Sequence, residues 1–148
     1  MYSRILVAID GSDTASQACA EAIKLAADQK ARLRLLYVIS YAYISAVLGG
    51  AYSGDLLRRL RSEAQGTLDD AEAAARGAGV EAEPHLLEHH ATQIGEAILE
   101  DAKRWQADLI VMGTHGRRGF ARATLGSDAE YVAQRASAPV LLVHSRTG

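Results

Sequence analysis

Several features that would place this chain in a specialised class are missing from its sequence. A single cysteine, Cys19, among 148 residues excludes an internal disulfide framework. No apolar run approaches the ~20 residues that are needed to cross a bilayer, so we expect no contact with a membrane. The amino terminus runs directly into a strand-like segment that starts at Arg4, which leaves no room for a signal peptide. We therefore expect a cytoplasmic protein.

An excess of charge of either sign is also missing. A formal net charge of -2 and a pI near 6.2 provide no long-range attraction for polyanions. We therefore expect no nucleic acid among the partners of this protein. Any binding of phosphate must depend on a local arrangement of residues.

The size and composition of the chain fit one folded domain. With 148 residues and 49% hydrophobic content, it is long enough to bury one core and too short for two. No internal repeat or low-complexity linker divides it. The prediction is a single domain over residues 1–148.

Short apolar runs alternate with segments of helical period, which is typical of βαβ units around a parallel sheet. The predicted strands are Arg4–Ile9, Arg32–Ile39, Val80–Leu87, Asp108–Met112 and Pro139–His144. In the first helical segment, Cys19, Ala22, Ile23 and Ala26 recur at i, i+3, i+4 and i+7 and form one apolar stripe. Three further helices are predicted at about Asp55–Ala78, Thr92–Arg104 and Ser127–Ala136.

The prolines and the right-handed crossover rule suggest the order of the strands. Pro84 interrupts the predicted third strand, and a proline inside a strand is tolerated mainly at a sheet edge. The prediction is an α/β fold with an open five-stranded parallel sheet, ordered 3-2-1-4-5, and helices on both faces. The winding reverses between strands 1 and 4, and ligands bind beyond the carboxyl ends of the strands at such a point.

The segment Tyr41–Gly54 follows strand 2 and overhangs the same end of the sheet. Its glycines and tyrosines indicate a mobile loop. A flexible connection is the favoured interpretation, and a lid over a bound base is the alternative.

The segment Gly113–Ser127 leaves a buried strand and enters the last helix. Its glycines can adopt positive φ and allow a ligand to approach the backbone, and the first turn of the helix presents N–H groups and a positive dipole end. His115 and Arg117 add charge nearby. The segment therefore predicts a phosphate-binding site; an irregular glycine-rich loop is the alternative.

The spacing of this segment is Gly-x2-Gly-x9-Gly-Ser, formed by Gly113, Gly116, Gly126 and Ser127. Neither a Walker motif nor the dinucleotide fingerprint has this spacing. Together with Ile5–Ser12, Ala107–Gly116 and Pro139–Val143, it resembles the ATP-binding branch of the universal stress protein family. The resemblance extends over nearly the whole chain and implies a Rossmann-like fold of the adenine nucleotide alpha hydrolase-like type.

The resemblance also implies roles for individual residues. Asp10 would lie by the ribose, the backbone of Val38 would meet adenine, and the glycines with Ser127 would surround ribose and phosphates. The resulting predicted binding site consists of Ala8, Asp10, Val38, Met112, Gly113, His115, Gly116, Arg117, Gly126, Ser127 and Asp128. Family members pair through the last strand, which implies a homodimer through Val140–Val143.

Asp128 places a carboxylate where phosphate oxygens would lie. It opposes a polyanion unless a divalent cation bridges the two, so the predicted ligand is ATP with Mg²⁺. Ser127 and Glu130 also have the form of a capping box, which gives Ser127 a structural alternative. Asp10 has one too, as a cap of the first helix.

His85, His89 and His90 invite a metal hypothesis, but Pro84 breaks any helix there and surface histidines are favoured. Cys19 lies on an apolar stripe and is interpreted as a core residue.

The favoured function is a regulatory, stress-response ATP-binding protein with at most slow ATP hydrolysis, because no lysine or paired carboxylates accompany the predicted phosphate loop. The alternatives are an ATP-dependent activating enzyme, a flavodoxin-like electron carrier, and a dimerisation module with a vestigial pocket.

Overall fold

The computed structural model describes residues 1–50, 53–90, 93–115 and 125–144. Strands and helices alternate along the chain. In chain order they are β1 (Arg4–Ile9), α1 (Asp13–Gln29), β2 (Arg32–Ser40), α2 (Tyr41–Leu48), α3 (Gly54–Gly77), β3 (Ala82–His89), α4 (Ile94–Trp105), β4 (Leu109–Gly113), α5 (Ser127–Arg135) and β5 (Val140–Val143).

The five strands form one parallel sheet with the order β3-β2-β1-β4-β5. This order confirms the prediction, including the edge position of the strand that contains Pro84. The predicted third strand starts two residues too early, since β3 covers Ala82–His89.

Two buried clusters cover opposite faces of the sheet. The first contains Ile5 and Val7 of β1 with apolar residues of α1 and α3. The second contains Leu6 of β1 with apolar residues of α4 and α5, among them Ile98 and Val132. β1 is the middle strand of the sheet and is buried on both faces, as its unbroken apolar sequence indicates.

The apolar stripe of α1 packs on the sheet as predicted. Cys19 is buried within it, and burial raises the pKa of its thiol to about 11. A thiol that holds its proton in this way is a poor nucleophile, so Cys19 is a core residue.

The prediction of a mobile loop over Tyr41–Gly54 is wrong for most of that segment. Tyr41–Leu48 forms α2, which begins directly where β2 ends. The Ser40 hydroxyl caps its start by accepting a hydrogen bond from the Tyr43 N–H at 3.1 Å. Gly49 ends the helix in the left-handed conformation, with φ of 76°. The glycine that suggested a loop is the residue that terminates a helix.

In the part of the chain that the structure describes, none of the helices combines the length and apolar character needed to cross a membrane.

Candidate functional site

A cavity of about 310 Å³ opens at the carboxyl ends of β1, β2 and β4, where the winding of the sheet reverses. This volume is within the range of pockets that hold small molecules. The structure brings nine of the predicted site residues to its lining, namely Ala8, Asp10, Val38, Met112, Gly113, His115, Gly126, Ser127 and Asp128. Gly116 and Arg117 lie outside the described residues.

Asp10 directly follows β1 and lines the cavity. Its Oδ1 accepts a hydrogen bond from the Ser12 N–H at 2.9 Å, across Gly11, whose φ is 82°. The alternative role of Asp10, as a cap of α1, is wrong, because the Ser12 hydroxyl caps that helix by accepting from the Ala15 N–H at 3.2 Å. The turn between β1 and α1 thus fixes the Asp10 carboxylate at the edge of the cavity without using it as a helix cap.

Val38 lies one residue beyond the last pair between β1 and β2, which joins Ile9 and Tyr37. At the start of β2, the Arg32 N–H donates to the Ser3 carbonyl on the β1 side, and the Leu33 N–H donates to the Glu81 carbonyl on the β3 side. Because this direction alternates from residue to residue, the carbonyl oxygen of Val38 is directed toward the β1 side, into the gap beyond the end of β1. A hydrogen-bond acceptor therefore faces the cavity at this position.

Gly113 and Gly126 serve the packing of the protein itself. Neither has a backbone in the left-handed region, so the expectation of positive φ is wrong for both. A Cβ on Gly113 would lie 2.9 Å from the backbone carbon of Thr14, and one on Gly126 would lie 2.8 Å from the Thr114 carbonyl oxygen. The glycines let β4, α1 and the start of α5 approach one another closely.

The start of α5 differs from the predicted capping box. Gly126 occupies the N-cap position, and no side chain makes the cap hydrogen bond. The Gly126 N–H donates to the Thr114 carbonyl at 2.7 Å, and the Gly126 carbonyl accepts the first helical bond, from Glu130, at 2.9 Å. A capping box would give the N-cap position to Ser127, but Gly126 occupies it. Ser127 is therefore the first residue inside α5, and it lines the cavity.

Hydrogen bonds also fix the residues that follow β4. The Thr114 N–H donates to the Val143 carbonyl at 3.0 Å, and Thr114 Oγ1 lies 3.2 Å from His115 Nδ1. The Thr14 hydroxyl of α1 donates to the His115 carbonyl. These bonds position the His115 backbone at the cavity.

Two carboxylates and the amino-terminal end of α5 dominate the polar part of the lining. Asp10 and Asp128 contribute carboxylates, and His115 is the basic side chain among the described lining residues. The first N–H groups of α5 have no partner inside the helix, and its dipole is positive at this end. The site can therefore bind an anionic group at α5, while its carboxylates favour a cation beside that group.

An apolar part of the cavity was not predicted from the sequence. Tyr43 and Ile44 of α2, Leu60 of α3, and Ile94 and Ile98 of α4 line it. Helical periodicity predicts that Leu60, Ile94 and Ile98 face inward, whereas Tyr43 and Ile44 lie in the segment predicted as a loop. Which residues border a cavity depends on how the helices pack.

The metal hypothesis for the histidines can be compared with their contacts. His85 Nδ1 lies 3.2 Å from Asp101 Oδ1 and 2.7 Å from Arg34 Nη2. His89 Nε2 lies 3.1 Å from Glu100 Oε2. No group of three or more potential metal ligands is found in the described ranges of the chain.

Comparison with known proteins identifies relatives over nearly the whole chain. The model of the universal stress protein family matches residues 1–144. The universal stress protein MJ0531 of Methanocaldococcus jannaschii is 34% identical over 97% of this chain and 82% of its own length. A universal stress protein of Thermus aquaticus is 38% identical over 97% of this chain and 99% of its own.

Solved structures share the same architecture. The hypothetical protein MJ0577 superposes with a TM-score of 0.85 at 26% identity, over 100% of this chain and 99% of its own. A universal stress protein in complex with cAMP gives a TM-score of 0.73 at 27% identity, over 97% of both chains. The universal stress protein from Archaeoglobus fulgidus in complex with dAMP gives 0.69 at 26% identity, over 96% of this chain and 98% of its own.

Proposed function

We propose that this chain, which belongs to the universal stress protein family, binds an adenine nucleotide in the cavity at the ends of β1, β2 and β4. The observation that carries the proposal is the convergence of a carboxylate, a main-chain acceptor and the first turn of a helix around one cavity. Complexes of two structural neighbours with cAMP and dAMP support the choice of adenine.

The base would lie against Val38. The carbonyl directed into the gap beyond β1 accepts a hydrogen bond from a ligand donor, and the exocyclic amino group of adenine is such a donor. Hypoxanthine has a carbonyl oxygen at the same position, which would place two acceptors against each other. The site therefore favours ATP over ITP.

The phosphates would lie at the start of α5. The N–H groups of its first turn suit an anion, but Asp128 is in the same turn and one of its carboxylate oxygens, Oδ1, is buried. Carboxylate and phosphate oxygens are the ligands that Mg²⁺ prefers, so Mg²⁺ bound between Asp128 and the phosphates would remove the repulsion. We propose ATP with Mg²⁺ as the ligand, in a regulatory role that does not depend on turnover.

The sheet edge formed by β5 suggests a homodimer. β5 pairs with β4 and lies last in the strand order, and Leu141 is 40% exposed. An apolar edge strand offers backbone hydrogen-bonding groups to a second copy. We propose that two copies associate through Val140–Val143.

One set of binding measurements on the purified protein tests the proposed function. Native mass spectrometry reports the retained ligand and the number of subunits. Isothermal titration calorimetry then compares ATP with ITP, and ATP with Mg²⁺ against ATP with a chelator. We expect a dimer that retains adenine nucleotide, and ITP bound roughly 5- to 150-fold more weakly than ATP, because an unpaired acceptor costs about 1–3 kcal/mol.

Each arm can contradict one part of the proposal. Absence of saturable binding by any adenine nucleotide would overturn the binding function and favour a dimerisation module. Equal affinity for ATP and ITP would remove the role of Val38. Equal affinity with Mg²⁺ and with chelator would remove the metal bridge, and a monomer would remove the β5 interface.

A further inference from the structure

The wall of the cavity formed by α2 is thin. Tyr43 and Ile44 of this helix line the cavity, and none of the eight residues of α2 is buried. On the outer side, Val47 is 61% exposed and Leu48 is 47% exposed. The helix therefore covers the ligand site without being covered itself, and the contacts that hold it in place control access on this side.

One cluster of side chains ties the start of α2 to two other elements. The Tyr41 hydroxyl donates to Glu88 Oε1 of β3 at 2.8 Å, and Arg61 Nη2 of α3 donates to the Tyr41 oxygen at 2.9 Å. Arg61 Nε donates to the same Glu88 oxygen. The Tyr41 ring also stacks on His90, with centroids 5.0 Å apart and planes at 25°. We call Tyr41, Arg61 and Glu88 the latch.

The latch is close to the cavity along two of its elements. Tyr41 is two residues from Tyr43, and Arg61 directly follows Leu60, which lines the cavity from α3. A displacement that opens this wall at the start of α2 separates Tyr41 from both of its partners. The latch therefore restrains the cavity wall at the start of α2.

The exposure of the latch makes it reversible. The Arg61 and Glu88 side chains are 44% and 35% exposed. Water can replace the contacts of an exposed ion pair at small cost, so such a pair breaks and re-forms while the core stays intact. A buried pair would hold α2 permanently.

We propose that the latch holds α2 over the bound nucleotide and sets the rate at which nucleotide exchanges. This inference depends on the proposed function for the identity of the ligand. The latch residues do not line the cavity, so weakening the latch speeds entry and release by similar factors and leaves the equilibrium affinity almost unchanged. A residue that contacts the ligand would instead change the affinity.

The test compares Arg61→Met with Arg59→Met. Both remove an arginine from α3, but Arg59 is an exposed residue outside the latch. In stopped-flow measurements with N-methylanthraniloyl ATP, we expect Arg61→Met to raise the association and dissociation rate constants together by roughly twofold to fivefold, the range for loss of an exposed ion pair. We expect wild-type rate constants for Arg59→Met. Tyr41→Phe, which keeps the ring against His90, gives a smaller increase.

Hydrogen exchange of the ligand-free protein provides a readout that needs no nucleotide. Peptides that cover Tyr41–Leu48 should exchange faster in Arg61→Met than in wild type, and at the wild-type rate in Arg59→Met. Unchanged exchange in Arg61→Met overturns the latch, whatever the protein binds. Faster release with an equal loss of affinity assigns Arg61 to ligand contact and overturns the gating role. Faster exchange in α2 without saturable nucleotide binding overturns the proposed function instead.

Discussion

Two arginine clusters lie on opposite faces of the sheet near the edge strand β3, and they differ chiefly in burial. On the α4 face, Arg34 binds Asp101 through two hydrogen bonds of 2.8 and 2.9 Å, and the two residues are 9% and 0% exposed. On the α2 and α3 face, Arg61 binds Glu88 within the half-exposed latch. An arginine–carboxylate ion pair thus occurs once in a buried and once in a solvent-exposed environment.

The difference in burial separates a permanent contact from a reversible one. Breaking a buried pair leaves an uncompensated charge away from water, whereas breaking an exposed pair leaves two solvated ions. The Arg34 cluster therefore holds α4 on the sheet at all times, and α4 forms a fixed wall of the cavity. The latch holds α2 only part of the time, and α2 forms a wall that opens.

Removing the buried partner should have the largest effect. Asp101→Asn keeps the shape of the side chain but leaves the Arg34 charge without a buried counter-ion, although Glu83 and His85 still contact the guanidinium. We expect a loss of about 3–5 kcal/mol in the free energy of unfolding, measured by urea denaturation.

Glu100→Gln is the matched control for this substitution, since it alters the neighbouring residue of α4, which pairs with His89 at the surface. We expect a change below about 1 kcal/mol. Similar losses in the two variants would show that burial does not distinguish the clusters and would undo the comparison.

A substitution of Gly126, the N-cap residue of α5, tests whether the start of α5 is also a fixed wall of the cavity. In Gly126→Ala the new methyl group would lie 2.8 Å from the Thr114 carbonyl oxygen, which also accepts the Gly126 N–H. Because that oxygen belongs to the backbone, it cannot move aside cheaply. We expect a loss of about 1–3 kcal/mol in unfolding free energy, together with weaker nucleotide binding.

Gly66→Ala is the control, because Gly66 lies inside α3 with no other atom within 4 Å of the new Cβ. We expect a gain of about 0.5–1 kcal/mol there from the higher helix propensity of alanine. Wild-type stability and nucleotide binding in Gly126→Ala would show that the start of α5 adapts, contrary to a fixed wall.

The fold could be predicted from the sequence because its signals are local. The apolar runs of β1 and β4 mark strands buried on both faces, and Pro84 marks an edge. The cavity follows from the point where the winding reverses. The limits of β3 were not predictable in this way: the strand begins two residues later than predicted, because the pairing with β2 decides its limits.

The helix α2 was missed because its residue types are compatible with both a loop and a short capped helix. Tyrosines and small residues that end in Gly49 and Gly50 are typical of a loop. The same residues form a helix because Ser40 caps its start and Gly49 its end. The available signal was Ser40 directly after the predicted strand, since serine is a preferred N-cap residue.

The sequence predicted which residues line the site better than it predicted the role of each residue. Gly113 and Gly126 line the cavity, yet their lack of a side chain is required by Thr14 and Thr114, which the spacing of the motif cannot indicate. The Arg34 cluster was not anticipated either. Its partner Asp101 is 67 residues away, and an arginine within a strand is usually solvent-facing.

The smallest effect we expect is the pH dependence of the latch. The hydrogen bond from Arg61, followed by that from Tyr41, lowers the pKa of Glu88. A carboxylate with a lowered pKa stabilises the folded state above its unfolded pKa of about 4.3, and that stability is lost as the pH falls through the folded pKa. The difference in urea midpoint between wild type and Arg61→Met should therefore stay constant from pH 8 to 5, an interval that lies above about 4.3. It should shrink toward zero in stronger acid.

Taking the difference between two proteins removes the contribution of the groups that they share. The charged and titratable groups around Glu88 are Arg61 of α3 and Tyr41 of α2, with His90 stacked on the tyrosine. A step in the difference between pH 6 and 7 lies above the range of a carboxylate with a lowered pKa and would show that Glu88 does not carry the pH dependence. Because an exposed contact is weak at every pH, a difference in midpoint as large as that of Asp101→Asn would instead show that the latch is as permanent as the Arg34 cluster.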